Sequence, residues 1–213
     1  MSLSEHRTAF LESVATAREL AGSAAVRDAW ARESACAGMS VGGLAHHLLN
    51  QGVTVARGLS AEPSGEVIPM LEHYRRAPWV AASRAGQVDP DQNVRDDEAA
   101  KAGPDAVLAT VAGHTDGLAD LLATPRDPDT IFIPWQGWSL TTDDFLTTRM
   151  MEVLVHADDL AASVGVQTPQ FPEAAVVPVV GLLAAVAADR HGATAVVRAL
   201  SRPQRSQGPV SAL

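Results

Sequence analysis

The chain has 213 residues, 46% of them hydrophobic, enough to close one domain around a proper core. A net charge of −9 and a pI near 5.1 provide no basic stripe for a phosphate backbone, which excludes nucleic acid as a partner. The single cysteine, Cys36, excludes an internal disulfide framework and a zinc site built from cysteines. The first residues, Met-Ser-Leu-Ser-Glu-His-Arg, are too polar for a signal peptide. The longest apolar run, 174–188, contains Pro178 and falls short of the ~20 residues of a membrane helix. The expectation is a cytoplasmic protein with no membrane partner.

In chain order, Phe10, Val14, Ala17 and Leu20 recur at helical spacing and predict a first helix over 4–21, ended by Gly22. A short helical piece around Val26 to Trp30 and a loop with Cys36 and Gly38 follow, Cys36 being read as a small packing residue or a reactive thiol. Ser40 is an N-cap for a second helix over 41–58, whose inner face is Val41, Leu44, Leu48 and Val55. On a wheel of about 100° per residue His47 falls near that face, while His46 points nearly opposite and is read as a solvated residue. An inward histidine is either a hydrogen-bonded core residue or a ligand. Residues 60–93, broken by four prolines and two glycines, read as a long excursion with a short helix at 66–76. His73 and Tyr74 either face a site from it or are incidental loop residues.

Residues 95–124 carry a third helical stretch, starting properly at Pro104, with His114 on its inward stripe as a further ligand, a supporting group or a core histidine. Thr130 to Trp135 is short and extended, and Trp135 and Trp138 either line a pocket mouth or cap the end of a bundle. Thr141 and Asp144 open a fourth helix that stops at Gly165. Within it Glu152 and His156 stand four apart, so their side chains share one face, a spacing that suits two ligands closing on one metal ion. Arg149 and Asp159 flank them on the same stripe. Met150, Met151, Val153, Leu154, Val155 and Leu160 make the helix apolar almost all round, hence buried, and a buried Glu beside a buried His needs a partner. A fifth helix, 173–190, is rich in Ala, Val and Leu and is expected to be mostly buried, against the bundle or in a homodimer. A short helix at 193–200 precedes a polar tail, 201–213, expected to be disordered, so that 1–200 form a single helical domain.

The segment Ser-Val-Gly-Gly-Leu-Ala-His-His-Leu at 40–48, with His47, and the spaced set Arg149, Glu152, His156, Asp159 and Leu160 resemble the DinB-like family. Within it they are most similar to the branch around mycothiol-dependent maleylpyruvate isomerase, which Trp30 also fits. The resemblance covers residues 5–165. It implies an all-α, DinB-like four-helix bundle with a long crossover, here with additional short helices and the C-terminal fifth helix. It implies a divalent metal, usually zinc, with nickel or iron as alternatives, held by His47, Glu152 and His156, and Arg149 and Asp159, which flank them on the same stripe, are the candidate catalytic residues. Members of the branch bind the sulfur of a low-molecular-weight thiol, mycothiol, on the metal and transfer or add it to a small electrophile. The isomerase carries a sizeable C-terminal domain that helps hold the thiol, whereas little chain follows the second motif here, so maleylpyruvate itself is not the expected substrate.

Three readings follow. Two imidazoles and a carboxylate leave an open coordination position, the pattern of catalytic zinc, which suits a thiol S-transferase or isomerase using a metal-bound thiolate. The same position with a bound water would make a hydrolase, which needs a separate base such as Asp159 or His114. A non-catalytic protein would use the metal to pin two helices together.

Overall fold

The computed structural model describes residues 3–87 and 90–213 and is a helical bundle with one small sheet. Four of its helices begin on hydroxyl caps. Ser4 opens α1 (Glu5–Ala21), Ser23 opens α2 (Ala24–Asp28), Ser40 opens α3 (Val41–Ser60) and Thr141 opens α9 (Thr142–Val164), each accepting a backbone N–H of the first turn. Between α3 and α9 lie β1 (Glu66–Val67), α4 (Met70–Arg76), α5 (Pro78–Arg84), α6 (Pro90–Ala100), α7 (Pro104–Thr115), α8 (Leu118–Ala123), β2 (Thr130–Ile133) and β3 (Trp138–Thr141). After α9, stopped by Gly165 at φ 70°, come α10 (Glu173–His191) and α11 (Ala193–Ser201). The strands form one sheet in the order β1-β3-β2, with β2 and β3 an antiparallel hairpin and β1 parallel to β3.

The frame of the site is α3 against α9, with α1 packed on both and α6 and α7 on the outer side of α3. Two buried clusters hold it. One joins Phe10, Val55, Leu118, Ile131, Phe145 and Met150 under the sheet and α10, and the other joins Ala17, Leu44, Leu48, Val107, Val153 and Leu160.

The structure revises several of these expectations. The excursion at 60–93 holds two helices and a sheet edge besides the loop, and the stretch 95–124 is three helices, because Gly103 (φ 85°) and the turn at Gly117 interrupt it. His114 is exposed, not inward: the buried positions Val107, Val111, Leu118 and Leu122 pass through Thr115, which takes the inner side of that turn. The fifth helix buries only one face, through Ala175, Val179, Leu182 and Val186, and exposes Val177 and Val180; its uniformly small apolar composition hides that asymmetry. It is also the one described helix long and apolar enough to cross a membrane by length and composition. The stretch from Ser201 lies against α10, where Arg190 donates to the carbonyl of Leu213 at 2.7 Å and Ala212 is buried.

Candidate metal centre

The Gly-Gly pair of the first motif decides what can approach α3. A Cβ on Gly42 would stand 2.5 Å from the indole nitrogen of Trp30, and one on Gly43 would overlap the Asp97 carboxylate. With both absent, Trp30 lies against α3 and donates to the carbonyl of Ala100 at the end of α6 (2.9 Å), while Asp97 accepts both the N–H and the hydroxyl of Ser40 at 3.0 and 2.6 Å. These contacts seat α6 so that its neighbour Asp96, only 1% exposed, faces the histidine doublet.

Asp96 binds both histidines. Its two oxygens lie 2.7 Å from Nδ1 of His46 and 2.8 Å from Nδ1 of His47, and Gln92 donates to it at 2.7 Å. His46 is therefore half-buried in a polar network and not a solvated residue, because α6 covers the face of α3 that a wheel assigns to solvent. The wheel sees one helix, and the cover comes from another.

Across the interface, Glu152 and His156 of α9 approach within 3.2 Å (Oε2 to Nε2), and Nδ1 of His156 faces Asp159 Oδ2 at 3.1 Å. The His47 and His156 rings meet edge to face with centroids 4.8 Å apart. One ligand atom from each of His47, Glu152 and His156 falls within 4.8 Å of the others. Arg149 donates to Gln51 Oε1 at 2.9 Å and lies 3.8 Å from Glu152 Oε1. Because an arginine only donates, that contact fixes the Gln51 amide with its NH2 towards His47, whose carbonyl it binds at 3.0 Å and whose Nε2 lies 3.5 Å away. Two independent neighbours thus agree on the tautomer of His47: the proton sits on Nδ1 against Asp96, and Nε2 carries the lone pair. That is the state a metal ligand requires.

The electrostatics favour a cation at this point. Burial pushes the Glu152 carboxyl up, but the hydrogen bond to His156 and the electrostatic pull of Arg149, with the neighbouring rings of His156 and His47, outweigh it and hold the group down at about 2. Burial pushes His156 down, yet Asp159, Cys36 and Glu152 raise it well above its ordinary value. The same carboxylates that raise His156 would favour a cation beside it. Two neutral imidazole nitrogens and one carboxylate oxygen are a donor set for zinc, and so the residues fit a divalent ion with a position left open.

The other sequence candidates fall as follows. Asp159 and Arg149 both border the convergence, the first behind His156 and the second beside Glu152. His73 and Tyr74 are buried, and Trp138 donates its indole N–H to Nδ1 of His73 at 3.1 Å, while Trp135 is exposed. Desolvation, with the charge of Arg149, lowers His73 to about 4 despite the opposing charge of Glu152. Cys36 approaches Asp159 instead of serving only as packing. His114 takes no part. Sequence reading missed Asp96, Gln51 and Gln92, although an aspartate four residues after Gln92 in a short polar helix carried no distinguishing signal.

The family model described as the mycothiol maleylpyruvate isomerase N-terminal domain matches residues 10–161, a span that includes both motifs and the three converging side chains. No curated protein and no solved structure matches the chain.

Proposed function

The chain belongs to the family of the mycothiol maleylpyruvate isomerase N-terminal domain, and on that premise we propose that it is a metal-dependent thiol S-transferase or isomerase acting on a small electrophile. Its thiol co-substrate is mycothiol or another low-molecular-weight thiol. The observation that carries the reading is the convergence of His47, Glu152 and His156, one ligand atom of each within 4.8 Å of the others, with Nδ1 of each histidine held by a carboxylate. A divalent ion held there, zinc or alternatively nickel or iron, supplies a Lewis-acid position that favours the deprotonated form of a thiol.

The chain's own residues do the remaining work. Asp96 and Asp159 orient the two imidazoles and keep their protons on the side away from the convergence. Gln51 and Arg149 close one flank, and Arg149 offers a cation beside Glu152 to attract an anionic group of the electrophile. Arg149 is held by Gln51, by the Thr148 hydroxyl at 3.1 Å and over the Phe145 ring, so its guanidinium is in place before substrate arrives.

The test is a cobalt-substituted sample. Adding mycothiol or a simpler thiol is expected to change its charge-transfer absorption, and thiol and a reactive electrophile are then consumed in a reaction that chelation abolishes. A metal-loaded protein whose spectrum ignores every thiol offered would refute the transferase reading, and thiol-independent ester hydrolysis would replace it with the hydrolase.

A further inference from the structure

The His156 ring has a second side. Nε2 looks towards Glu152, while Nδ1 looks towards Asp159 and the loop between α2 and α3 that carries Cys36. That loop is tightly built. Ser34 Oγ accepts the Cys36 N–H at 3.1 Å, the Met39 N–H donates to the Cys36 carbonyl at 3.1 Å, and Gly38, at φ 78°, donates to Glu33 at 2.9 Å. It is also fastened to α9, because Ser163 Oγ accepts the Ala35 N–H at 2.8 Å and donates to the carbonyl of Asp159 at 2.6 Å. One serine therefore positions Cys36 over the same turn of helix that presents Asp159.

The result is a thiol 3.5 Å from Asp159 Oδ2, which itself lies 3.1 Å from His156 Nδ1, with one ligand atom from each residue within 4.8 Å of the others. We propose that Cys36, Asp159 and Nδ1 of His156 form a second cation site, for a borderline-soft divalent ion such as zinc, which shares His156 with the first site through opposite ring nitrogens. Sulfur, carboxylate oxygen and imidazole nitrogen are the three ligand types that zinc takes, and one of each leaves a position for solvent. No backbone movement is needed to bring them together, since the loop and the helix are already joined through Ser163. The entry path is open as well: the Asp159 side chain is 32% exposed and Cys36 is half-buried. Binding displaces the thiol proton of Cys36 and the Nδ1 proton of His156 to solvent. The ring then bridges two ions as imidazolate, and Asp159 changes from hydrogen-bond acceptor to ligand.

Cobalt(II) titration of the metal-free protein, with no thiol added, separates the two sites. A thiolate-to-cobalt charge-transfer band is expected in the wild type, absent in Cys36→Ser and retained in His47→Gln, with two ions bound by the wild type and one by each variant. His156→Gln is expected to lose the band. The proposal is overturned if the wild type shows no such band or if the band survives Cys36→Ser. The two readings fail separately. One ion in Cys36→Ser and none in His47→Gln would sink this site and leave the first standing, whereas a Cys36-dependent band in a protein whose Cys36→Ser form binds nothing would do the reverse.

Discussion

Asp96→Asn tests whether the buried carboxylate sets the chemistry of the histidines. Asp96 receives three contacts, from His46, His47 and Gln92, and all are between 2.7 and 2.8 Å. Burial pushes its carboxyl up, but the hydrogen bonds from His46, His47 and Gln92 bring it well below the usual carboxylate range, so it is charged throughout the working pH range. Asparagine keeps the shape and changes one oxygen into a donor. If the NH2 faces His47, the proton must move to Nε2 and the lone pair is withdrawn from the convergence. If it faces His46, His47 keeps only a neutral acceptor, and a charge-assisted bond worth about 1.5–3 kcal/mol becomes an ordinary one. Replacing a partner that orients a ligating imidazole lowers metal affinity by about 10–100-fold. That corresponds to about 1.4–2.7 kcal/mol. The assay is competition for zinc against a chromophoric chelator at fixed pH, with nitrogen-15 shifts of His47 in the metal-free protein reporting the tautomer. Wild-type zinc affinity in Asp96→Asn, with the proton still on Nδ1, would refute the role assigned to Asp96.

Zinc at about 100 times the dissociation constant of a site should stabilise the protein by about 2.7 kcal/mol through that site, and His47→Gln should lose the share of the rise in melting temperature that the first site contributes. His46→Ala should lower zinc affinity in the chelator assay by loosening Asp96, whereas His114→Ala, at an exposed position, should change nothing. Gly42→Ala forces the Trp30 indole off α3 and should cost about 1–3 kcal/mol in denaturant unfolding. His73 stays neutral down to about 4 against an ordinary 6.5, so the unfolded chain takes up its proton first. The stability this gives is complete above about 6.5 and is lost as pH falls towards about 4, and His73→Gln should flatten that part of the pH profile of denaturant unfolding.

The helices that carry the three converging side chains were legible because their signals are local. Caps at Ser40 and Thr141, a stop at Gly165 and the four-residue step from Glu152 to His156 each act within one helix. The inward direction of His47 was legible for the same reason. The errors share one physical cause. Whether His46 is wet depends on α6, which reaches α3 only because Gly42 and Gly43 lack side chains, and no periodicity within α3 contains that fact. Asp96 was invisible for the complementary reason: a lone aspartate in a helix of low hydrophobicity looks like solvent surface until a neighbouring helix buries it. His114 erred through a helix that is broken at Gly117, where the inward stripe changes register.

On the proposed reading of the site, charge favours an ion of valence two. Each imidazole has two nitrogens, so a carboxylate on one decides the role of the other, and here Asp96 and Asp159 occupy Nδ1 in both rings. With Glu152 the two rings have three carboxylates about them, and the guanidinium of Arg149 beside Glu152 offsets one of those charges, which leaves two when both histidines are neutral. A proton on His156 removes one of them, in keeping with the upward push on that ring by Asp159 and Glu152. A divalent cation would remove both, and His47, Glu152 and His156 would be the residues to hold it. A monovalent ion would neutralise no more charge than the proton already does, and it would forfeit the strong imidazole bonds that transition metals form. The expected order of stabilisation in melting experiments is therefore zinc or cobalt above magnesium, whose preference for oxygen ligands suits one donor of the three, and both well above sodium. Equal stabilisation by magnesium and zinc would mean that the carboxylates alone hold the ion and that the histidines are bystanders.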